Sequence, residues 1–219
     1  MRIRAAAVLA ALAALLAPTT SVHAADPGDT INLPVRDALA ALTVTDEVRT
    51  GYDRDLFRHW IDADRDGCST RSEVLLDEAV TAPDRTGRCT LTGGRWYSPY
   101  DDQYVDGPRA LDIDHYVPLA ESWDSGASAW TPKEREAYAN DLDDTRSLIA
   151  VTAASNRSKA DQDPATWMPP AAGYHCEYVT TWVTIKTRWS LAVDPAEAAK
   201  LASTLNECPN TLIEVERAR

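Results

Sequence analysis

The chain has 219 residues, of which 34 are Asp or Glu and 22 are Lys or Arg, so its formal net charge is −12 at pH 7. This length is enough for one domain with its own hydrophobic core. The acidity argues against tight non-specific binding to nucleic acid, which normally gains from basic residues that release counterions. Any such contact therefore needs a local basic patch, for which the candidates are Arg109, Arg146, Arg157, Lys159, Lys186 and Arg188.

Residues 1–24 are predicted to be a secretory signal peptide. Arg2 and Arg4 give a basic start, and the apolar stretch 5–17 is too short and too rich in alanine for a stable membrane span. The sequence before Ala24 suits signal peptidase, so we predict cleavage after that residue. Because no other apolar run approaches membrane length, the mature protein is expected to be soluble and exported.

The mature chain is predicted to begin with a mobile polar leader over residues 26–34. Apolar residues at helical spacing then predict a first helix over 35–43 and a second over 52–61. A third helical pattern covers residues 72–80. The two later helices would flank an acidic segment, which gives a helix-loop-helix unit over 52–80.

The acidic segment from Asp62 to Glu73 fits the twelve-residue loop of an EF-hand. Gly67 would make the sharp turn and Cys68 would offer a backbone carbonyl. The carboxylate ligands would be Asp62, Asp64, Asp66 and Glu73. We therefore predict a structural Ca²⁺ site here. Two alternatives stay open: a solvated acidic turn pinned by a disulfide, or a segment whose Arg71 and Glu73 face the catalytic site.

Four cysteines lie in the mature chain, and an even count in an exported protein favours disulfides. Pairing of neighbours, Cys68 with Cys89 and Cys176 with Cys208, is our prediction among the three connectivities. It closes two loops of moderate size on either side of residues 112–118. A zinc site is the competing interpretation, but no C-x-x-C or H-x-x-x-H spacing supports it.

The middle and the end of the chain alternate between strand and helix signals. Gly93 and Gly94 predict a hairpin within residues 89–100, and a strand follows over 110–115. Capping boxes and apolar spacing predict helices over about 131–142, over 174–190 and from 194 to Cys208. The aromatic side chains of the 174–190 helix are expected to lie in the core.

Two short segments carry the chemistry. Residues 112–118 read DIDHYVP, and residues 155–159 read SNRSK. Phosphodiester hydrolysis needs a divalent ion to stabilise charge and a base to activate water, and neighbouring Asp114 and His115 supply both if their strand ends there. Pro118 favours such an ending. Residues 148–151 predict a partner strand, and Thr152 is the expected N-cap of a short helix.

These segments resemble the HNH endonuclease superfamily, specifically its D-x-D-H-x-x-P branch and the secreted actinobacterial-type proteins with a downstream S-N-R-x-K. The resemblance covers most of the mature chain, including a similar acidic segment at 62–73. It implies that a strand pair and a helix grip one Mg²⁺ or Mn²⁺, with Asp114 and Asn156 as metal ligands and His115 as general base. Lys159, and secondarily Arg157, would contact the phosphate.

The central Asn of that family, which holds the loop behind the catalytic His, has no clear counterpart in this chain. Ser147 or Thr145 stands nearest to the expected place.

We therefore expect a single α+β domain over residues 25–219, in which a ββα-metal (HNH) core is embedded in flanking helices and stapled by disulfides. The helix-loop-helix would span 52–80, the HNH core 108–170 and the C-terminal helices 171–219. The expected function is that of a secreted endonuclease that cleaves DNA, or alternatively RNA, with little sequence specificity. It would act as a monomer and leave 3′-hydroxyl and 5′-phosphate ends. The rival is a secreted calcium-binding or wall-associated interaction protein whose HNH-like core is inactive.

Overall fold

The computed structural model describes residues 26–219. The predicted signal peptide and its cleavage after Ala24 lie outside the described residues. Within the described part, none of the helices combines the length and the apolar character that a membrane crossing requires.

The described residues form a mixed α+β fold, as expected. The helices are α1 (Val35–Ala41), α2 (Thr70–Asp77), α3 (Leu119–Asp124), α4 (Pro132–Ala139), α5 (Ala153–Lys159), α6 (His175–Trp189) and α7 (Pro195–Asn206). The strands are β1 (Thr30–Pro34), β2 (Asp84–Thr86), β3 (Thr90–Thr92), β4 (Arg95–Ser98), β5 (Gln103–Asp106), β6 (Leu111–His115), β7 (Leu148–Thr152) and β8 (Leu212–Glu216). They pair as four two-stranded antiparallel sheets, β1 with β8, β2 with β3, β4 with β5 and β6 with β7.

Two expectations about strands were wrong. Residues 30–34 are β1 rather than a mobile leader, because they pair with β8 near the other end of the chain. Gly93 and Gly94 do not form the turn of a hairpin. They separate β3, which pairs backward with β2, from β4, which pairs forward with β5. Both glycines have positive φ angles, and a Cβ on Gly94 would lie 2.7 Å from the Trp96 ring, so this break needs glycine.

The predicted helix over 52–61 was also wrong. Only a short 3-10 turn forms there, at Arg54–Leu56, and Trp60 has a φ of +58°, which an α-helix does not accommodate. The acidic segment therefore has α2 after it but no helix before it, and the helix-loop-helix unit is incomplete. The predictions for α1, α2, α4, α6 and α7 were confirmed, including the capping boxes of Thr131 and Asp194.

The main core surrounds α6. Eleven of the fifteen residues of α6 are buried, and Tyr178, Trp182 and Trp189 lie inside as expected. Lys186 and Arg188 are buried too, where they pair with carboxylates. Because neither side chain reaches solvent, the expected basic patch cannot include them.

A smaller core supports the strand pair β6–β7. It consists of Val74, Leu75, Trp96, Leu111, Ile113, Leu148 and Ala150. Both predicted disulfides are present: Cys68–Cys89 ties the acidic segment to the start of β3, and Cys176–Cys208 ties α6 to the segment after α7. The smaller core packs on one side of β6, while α5 covers its other side.

Candidate active site

Strands β6 and β7 and helix α5 form one continuous unit. The strands are antiparallel, with Asp114 opposite Ile149 and His115 opposite Leu148. Helix α5 starts directly after β7, where the side chain of Thr152 accepts a hydrogen bond from the amide of Ser155. The predicted strands and the predicted cap are thus confirmed, and they bring the two sequence motifs together.

Helix α5 packs on the face of β6 that carries Asp112 and Asp114. The Nδ2 atom of Asn156 lies 3.4 Å from Oδ2 of Asp112, and Nε of Arg157 lies 3.4 Å from the same oxygen. Neither contact is short, and the Arg157 side chain is 75% exposed. Asp112 is therefore the acidic neighbour that Asn156 faces, and the resemblance had given it no role.

Lys159 and Asp114 form a buried ion pair. Nζ of Lys159 lies 2.6 Å from Oδ2 of Asp114 and donates also to the carbonyl of His115, and the hydroxyl of Tyr100 donates to the same Oδ2 at 2.8 Å. Burial raises the pKa of Asp114 and lowers that of Lys159, against the effect of their pairing.

The position of Lys159 differs from the expected contact with a phosphate. Its side chain has no exposed area, because the helix turns it inward beneath α5 toward Asp114. The geometry gives Lys159 a different action: it fixes the carboxylate of Asp114 through Oδ2. The other oxygen, Oδ1, has no hydrogen bond in the described part of the chain and is not sealed from solvent.

His115 ends β6 and is held from the side opposite to Asp114. Its Nε2 lies 2.9 Å from the carbonyl oxygen of Ala139 at the end of α4. Since a carbonyl only accepts, Nε2 carries the proton in this contact and the lone pair is on Nδ1. Burial lowers the pKa of His115 to about 3, so the ring is neutral near pH 7.

The ring of His115 is covered by aromatic neighbours. Trp60 stacks on it with ring centroids 5.2 Å apart, and Tyr138 lies parallel to it at 6.5 Å. Only 5% of His115 is exposed. The catalytic candidate is therefore held in one orientation and shielded from water.

Neither Ser147 nor Thr145 supports His115. The hydroxyl of Ser147 donates to Asp141 instead. The support comes from the backbone carbonyl of Ala139. Because every residue has such a carbonyl, the sequence gives no signal for this contact. Tyr100, whose hydroxyl orients Asp114, was missed because its partner lies on another element, 14 residues away.

Asn140, the next residue after Ala139, fastens the loop that carries Trp60. Its Oδ1 accepts from the amide of Ile61 and from the hydroxyl of Thr70, and its Nδ2 donates to the carbonyls of Arg58 and Glu136. This side chain therefore spans the base of the 58–61 loop. The sequence contained a signal for Asn140, because this residue lies in a segment that resembles the family. It did not show that the side chain of Asn140 would bind the 58–61 loop.

Replacing Asn140 with alanine is expected to lower the free energy of unfolding by about 1–3 kcal/mol, because the amide of Ile61, the carbonyl of Arg58 and the hydroxyl of Thr70 lose a partner. Urea denaturation measures the loss, and Trp fluorescence should report a freer Trp60. Lys133→Ala at the exposed start of α4 is the control, since its side chain makes no hydrogen bond or ion pair in the described structure. Equal stability of Asn140→Ala and wild type would contradict this role.

The buried, neutral state of His115 predicts a pH dependence of stability. In the folded protein its pKa is lowered from 6.5 to about 3, so the unfolded chain takes up a proton that the folded chain does not. Stability is therefore lost as pH falls below about 6.5, by about 1.4 kcal/mol at pH 5.5. Between pH 7 and pH 5.5, the urea midpoint of unfolding should fall less in His115→Asn than in wild type. An equal fall in the two proteins would show that folding does not disfavour protonation of His115.

The acidic segment 62–73 keeps part of the expected geometry. Carboxylate oxygens of Asp62, Asp64 and Asp66 lie within 4.8 Å of one another, and Asp66 is similarly close to Glu73. Arg85, however, pairs with Asp66 at 3.0 Å. Arg71 points away from this segment and donates to the carbonyl of Leu111, so it supports the start of β6.

Comparison with known proteins agrees with this geometry. Residues 70–204, more than half of the chain, match the family model of GmrSD restriction endonucleases, C-terminal domain. An uncharacterized secreted protein of Arthroderma benhamiae is 39% identical over 202 residues, which cover 90% of this chain and 98% of that protein. No solved structure matches the chain. The chain belongs to the family of the GmrSD restriction endonuclease C-terminal domain, and thus to a family of nucleases.

Proposed function

We propose that the chain is a secreted, divalent-metal-dependent endonuclease of the HNH type, which hydrolyses DNA with little sequence specificity and leaves 3′-hydroxyl and 5′-phosphate ends. The observation that carries this proposal is that one strand-helix unit, β6–β7–α5, carries Asp114, His115 and Asn156 inside the part of the chain that matches a nuclease family. The secretion of the related fungal protein supports export.

His115 acts as the general base in this proposal. Its Nε2 is engaged by the carbonyl of Ala139, so the lone pair of Nδ1 is the site that takes a proton from water. A neutral ring is the form that a base requires, and the lowered pKa keeps it neutral. Contact with water and substrate would raise this pKa toward the range in which a base works best, because burial is the main cause of the depression.

The side chains around Asp114 suit a hard divalent cation. Oδ1 of Asp114 has no partner in the described structure, and the amide oxygen of Asn156 is the second ligand in the proposal. Oxygen donors of this kind are those that Mg²⁺ and Mn²⁺ prefer. When bound, the ion would stabilise negative charge on the phosphate and the leaving oxygen. Lys159 positions Asp114 through Oδ2, leaving Oδ1 for the ion.

Access to His115 requires a local movement. Because Trp60 covers the ring and 5% of His115 is exposed, we propose that the 58–61 loop shifts when DNA binds. Arg157, which is largely exposed on α5, and exposed Arg109 are the arginines we assign to phosphate contact, whereas Arg146 of the predicted patch is paired with Asp144 at 2.6 Å. This small basic surface is consistent with contacts to the DNA backbone rather than to bases.

We retain two further parts of the sequence interpretation as proposals. The chain acts as one domain over 25–219 and as a monomer. The acidic segment binds a structural Ca²⁺ through Asp62, Asp64, Asp66 and Glu73. Their clustering supports this binding, while the pairing of Asp66 with Arg85 opposes it.

The test of the site is Asn156→Ala, compared with Ser158→Ala two residues further along α5. Asn156 is half-buried and its removal should not impair folding, so loss of Mn²⁺ binding in calorimetry together with loss of plasmid cleavage is expected. Ser158 contacts only the indole of Trp167 through its side chain in the described structure, and its variant should behave as wild type. Unchanged cleavage by Asn156→Ala would remove Asn156 from the site.

The second candidate is a secreted calcium-binding interaction protein with an inactive core. The burial of His115 and the inward position of Lys159 favour it. A folded protein that binds Ca²⁺ but cleaves neither DNA nor RNA with any divalent ion would support this candidate over the nuclease.

A further inference from the structure

A hollow lined by carboxylates lies between the 44–50 loop, α3 and the start of α7. We call it the acidic hollow and define it by Glu47, Glu121, Asp163 and Asp194, which line it together with Arg49, and by Asp124, whose carboxylate lies within 4.8 Å of those of Glu47 and Glu121. Its cavity has a volume of about 440 Å³. None of these residues belongs to the strand-helix unit or to the acidic segment 62–73, so the hollow is a separate feature.

On the α3 side, each carboxylate is anchored by one oxygen. Oε1 of Glu121 accepts from the hydroxyl of Ser125 and from Nζ of Lys186, at 2.6 and 2.7 Å. Oδ2 of Asp124 accepts from Arg49 at 2.6 Å. The second oxygen of Asp124, Oδ1, has no hydrogen-bond partner among the described residues, and the carboxyl group of Glu47 lies within hydrogen-bond reach of Glu121.

The opposite side repeats this arrangement. Oδ1 of Asp163 accepts from the amide and hydroxyl of Thr166, and Oδ1 of Asp194 accepts from the amides of Ala196 and Glu197 at the start of α7. Here too the second oxygen of each carboxylate has no partner within residues 26–219. These two carboxylates are therefore each fixed through one oxygen, and the other oxygen of each is free to bind a ligand.

The buried oxygen of Asp124 points independently to a ligand. The Asp124 side chain has no exposed area, and its Oδ1 is fully enclosed without a hydrogen bond. A buried carboxylate oxygen normally has a partner, and leaving it without one is costly. Ligand oxygens of Asp124, Glu121 and Glu47 lie within 4.8 Å of one another, which is the spacing of oxygens around a single ion with bonds of about 2.4 Å.

Glu47 joins the two sides of the hollow. Its carboxylate also lies within 4.8 Å of ligand oxygens of Asp163 and Asp194, and no cation pairs with it in the described structure. The cations at this site, Arg49 and Lys186, pair with Asp124 and Glu121 instead.

We propose that the acidic hollow binds one Ca²⁺ through Glu47, Glu121 and Asp124, with Asp163 and Asp194 forming its opposite wall. Ca²⁺ accepts six to eight oxygens in variable geometry, which suits carboxylates from separate loops and helices better than the strict octahedron of Mg²⁺. The ion ties the 44–50 loop to α3 and so stabilises the frame around the strand-helix unit. An extracellular protein meets enough calcium for a site of modest affinity.

The experiment uses the mature, disulfide-intact chain with Asp64→Asn, which weakens the acidic segment 62–73 as a second calcium site. Into this parent we introduce Glu47→Gln, and Glu207→Gln as a control at an exposed carboxylate beyond α7. Each protein is melted in EGTA and in CaCl₂, and calcium binding is measured by calorimetry. At calcium ten times above Kd the parent and the control should gain roughly 3–6 °C in Tm.

Glu47→Gln is expected to melt at or above the parent in EGTA, because it removes a repelled carboxylate, yet to bind Ca²⁺ at least tenfold more weakly. Asp124→Asn should also lose this binding, which tests the enclosed oxygen directly. The proposal is overturned if the parent gains nothing from Ca²⁺, or if Glu47→Gln and the parent bind Ca²⁺ with equal affinity. A merely electrostatic role of Glu47 would give the same Tm difference with and without calcium.

Discussion

DNA cleavage by His115→Asn is expected to be slower than that by wild type by roughly 10² to 10⁴, the usual contribution of a general base. The asparagine amide is polar and smaller than the imidazole, so the change adds no steric clash, although it gives up the contact of Nε2 with the carbonyl of Ala139. It has no nitrogen lone pair that can accept a proton from water. Single-turnover cleavage of a labelled DNA duplex measures the loss, and a thermal melt of the same samples shows that the variant is folded.

The control for this prediction is His175→Asn. His175 also uses Nε2 to contact a backbone carbonyl, that of Pro169, at 2.8 Å, but it begins α6 and lies outside the strand-helix unit. Its replacement should leave the cleavage rate within about twofold of wild type. Equal rates for His115→Asn and wild type would mean that another group activates the water.

Lys186→Met is expected to lower the free energy of unfolding by about 3–5 kcal/mol, because it leaves buried carboxylates without their cation. Nζ of Lys186 lies 2.7 Å from both Glu121 and Glu197 and has no exposed area. Burial alone would lower the pKa of Lys186, but these carboxylates more than offset it and raise the pKa. Methionine fills nearly the same volume, so the lost charge rather than a cavity accounts for the effect.

Urea denaturation of three proteins tests this prediction. Lys133→Met, on the exposed start of α4, should match wild type within about 0.5 kcal/mol. Adding Glu197→Gln to Lys186→Met should restore part of the lost stability, since it removes one of the carboxylates that have lost their cation. Burial is the main reason that the pKa of Glu197 is raised to about 7. A loss below about 1 kcal/mol in Lys186→Met would show that solvent reaches this cluster.

The local features of the site could be predicted from the sequence because their signals are local. Strand β6 ends near Pro118, β7 is a short apolar run, and Thr152 caps α5, so Asn156 and Lys159 follow on one helix. The capping box of Thr131 likewise placed the start of α4. Each of these depends on residues within a few positions of one another.

The features that were missed depend on distant partners. Strand β1 forms only because β8 lies beside it, and the 58–61 loop follows Asn140 rather than its own helical spacing. Lys159 and Lys186 looked like surface cations, yet buried carboxylates draw both inside. No pattern in a single sequence indicates which acid a lysine will meet across the fold.

This inward turn of the lysines changes the account of the nuclease. The resemblance assigned Lys159 to the phosphate, whereas the structure joins it to Asp114 at 2.6 Å. A positioned carboxylate with one unpartnered oxygen then lies beneath α5, and a neutral His115 ends the same strand. In the proposed function, positive charge at the phosphate would come from the divalent ion and from exposed arginines such as Arg157, which would let an acidic protein bind a nucleic acid.

The most direct test is cleavage of supercoiled plasmid by the mature, disulfide-intact protein with Mg²⁺ or Mn²⁺, beside the same protein in EDTA and His115→Asn with the metal. The account predicts nicked and then linear plasmid with wild type and metal, and supercoiled plasmid in both other samples. Intact plasmid with every divalent ion, from protein that melts cooperatively, would contradict it, and so would cleavage that persists in EDTA.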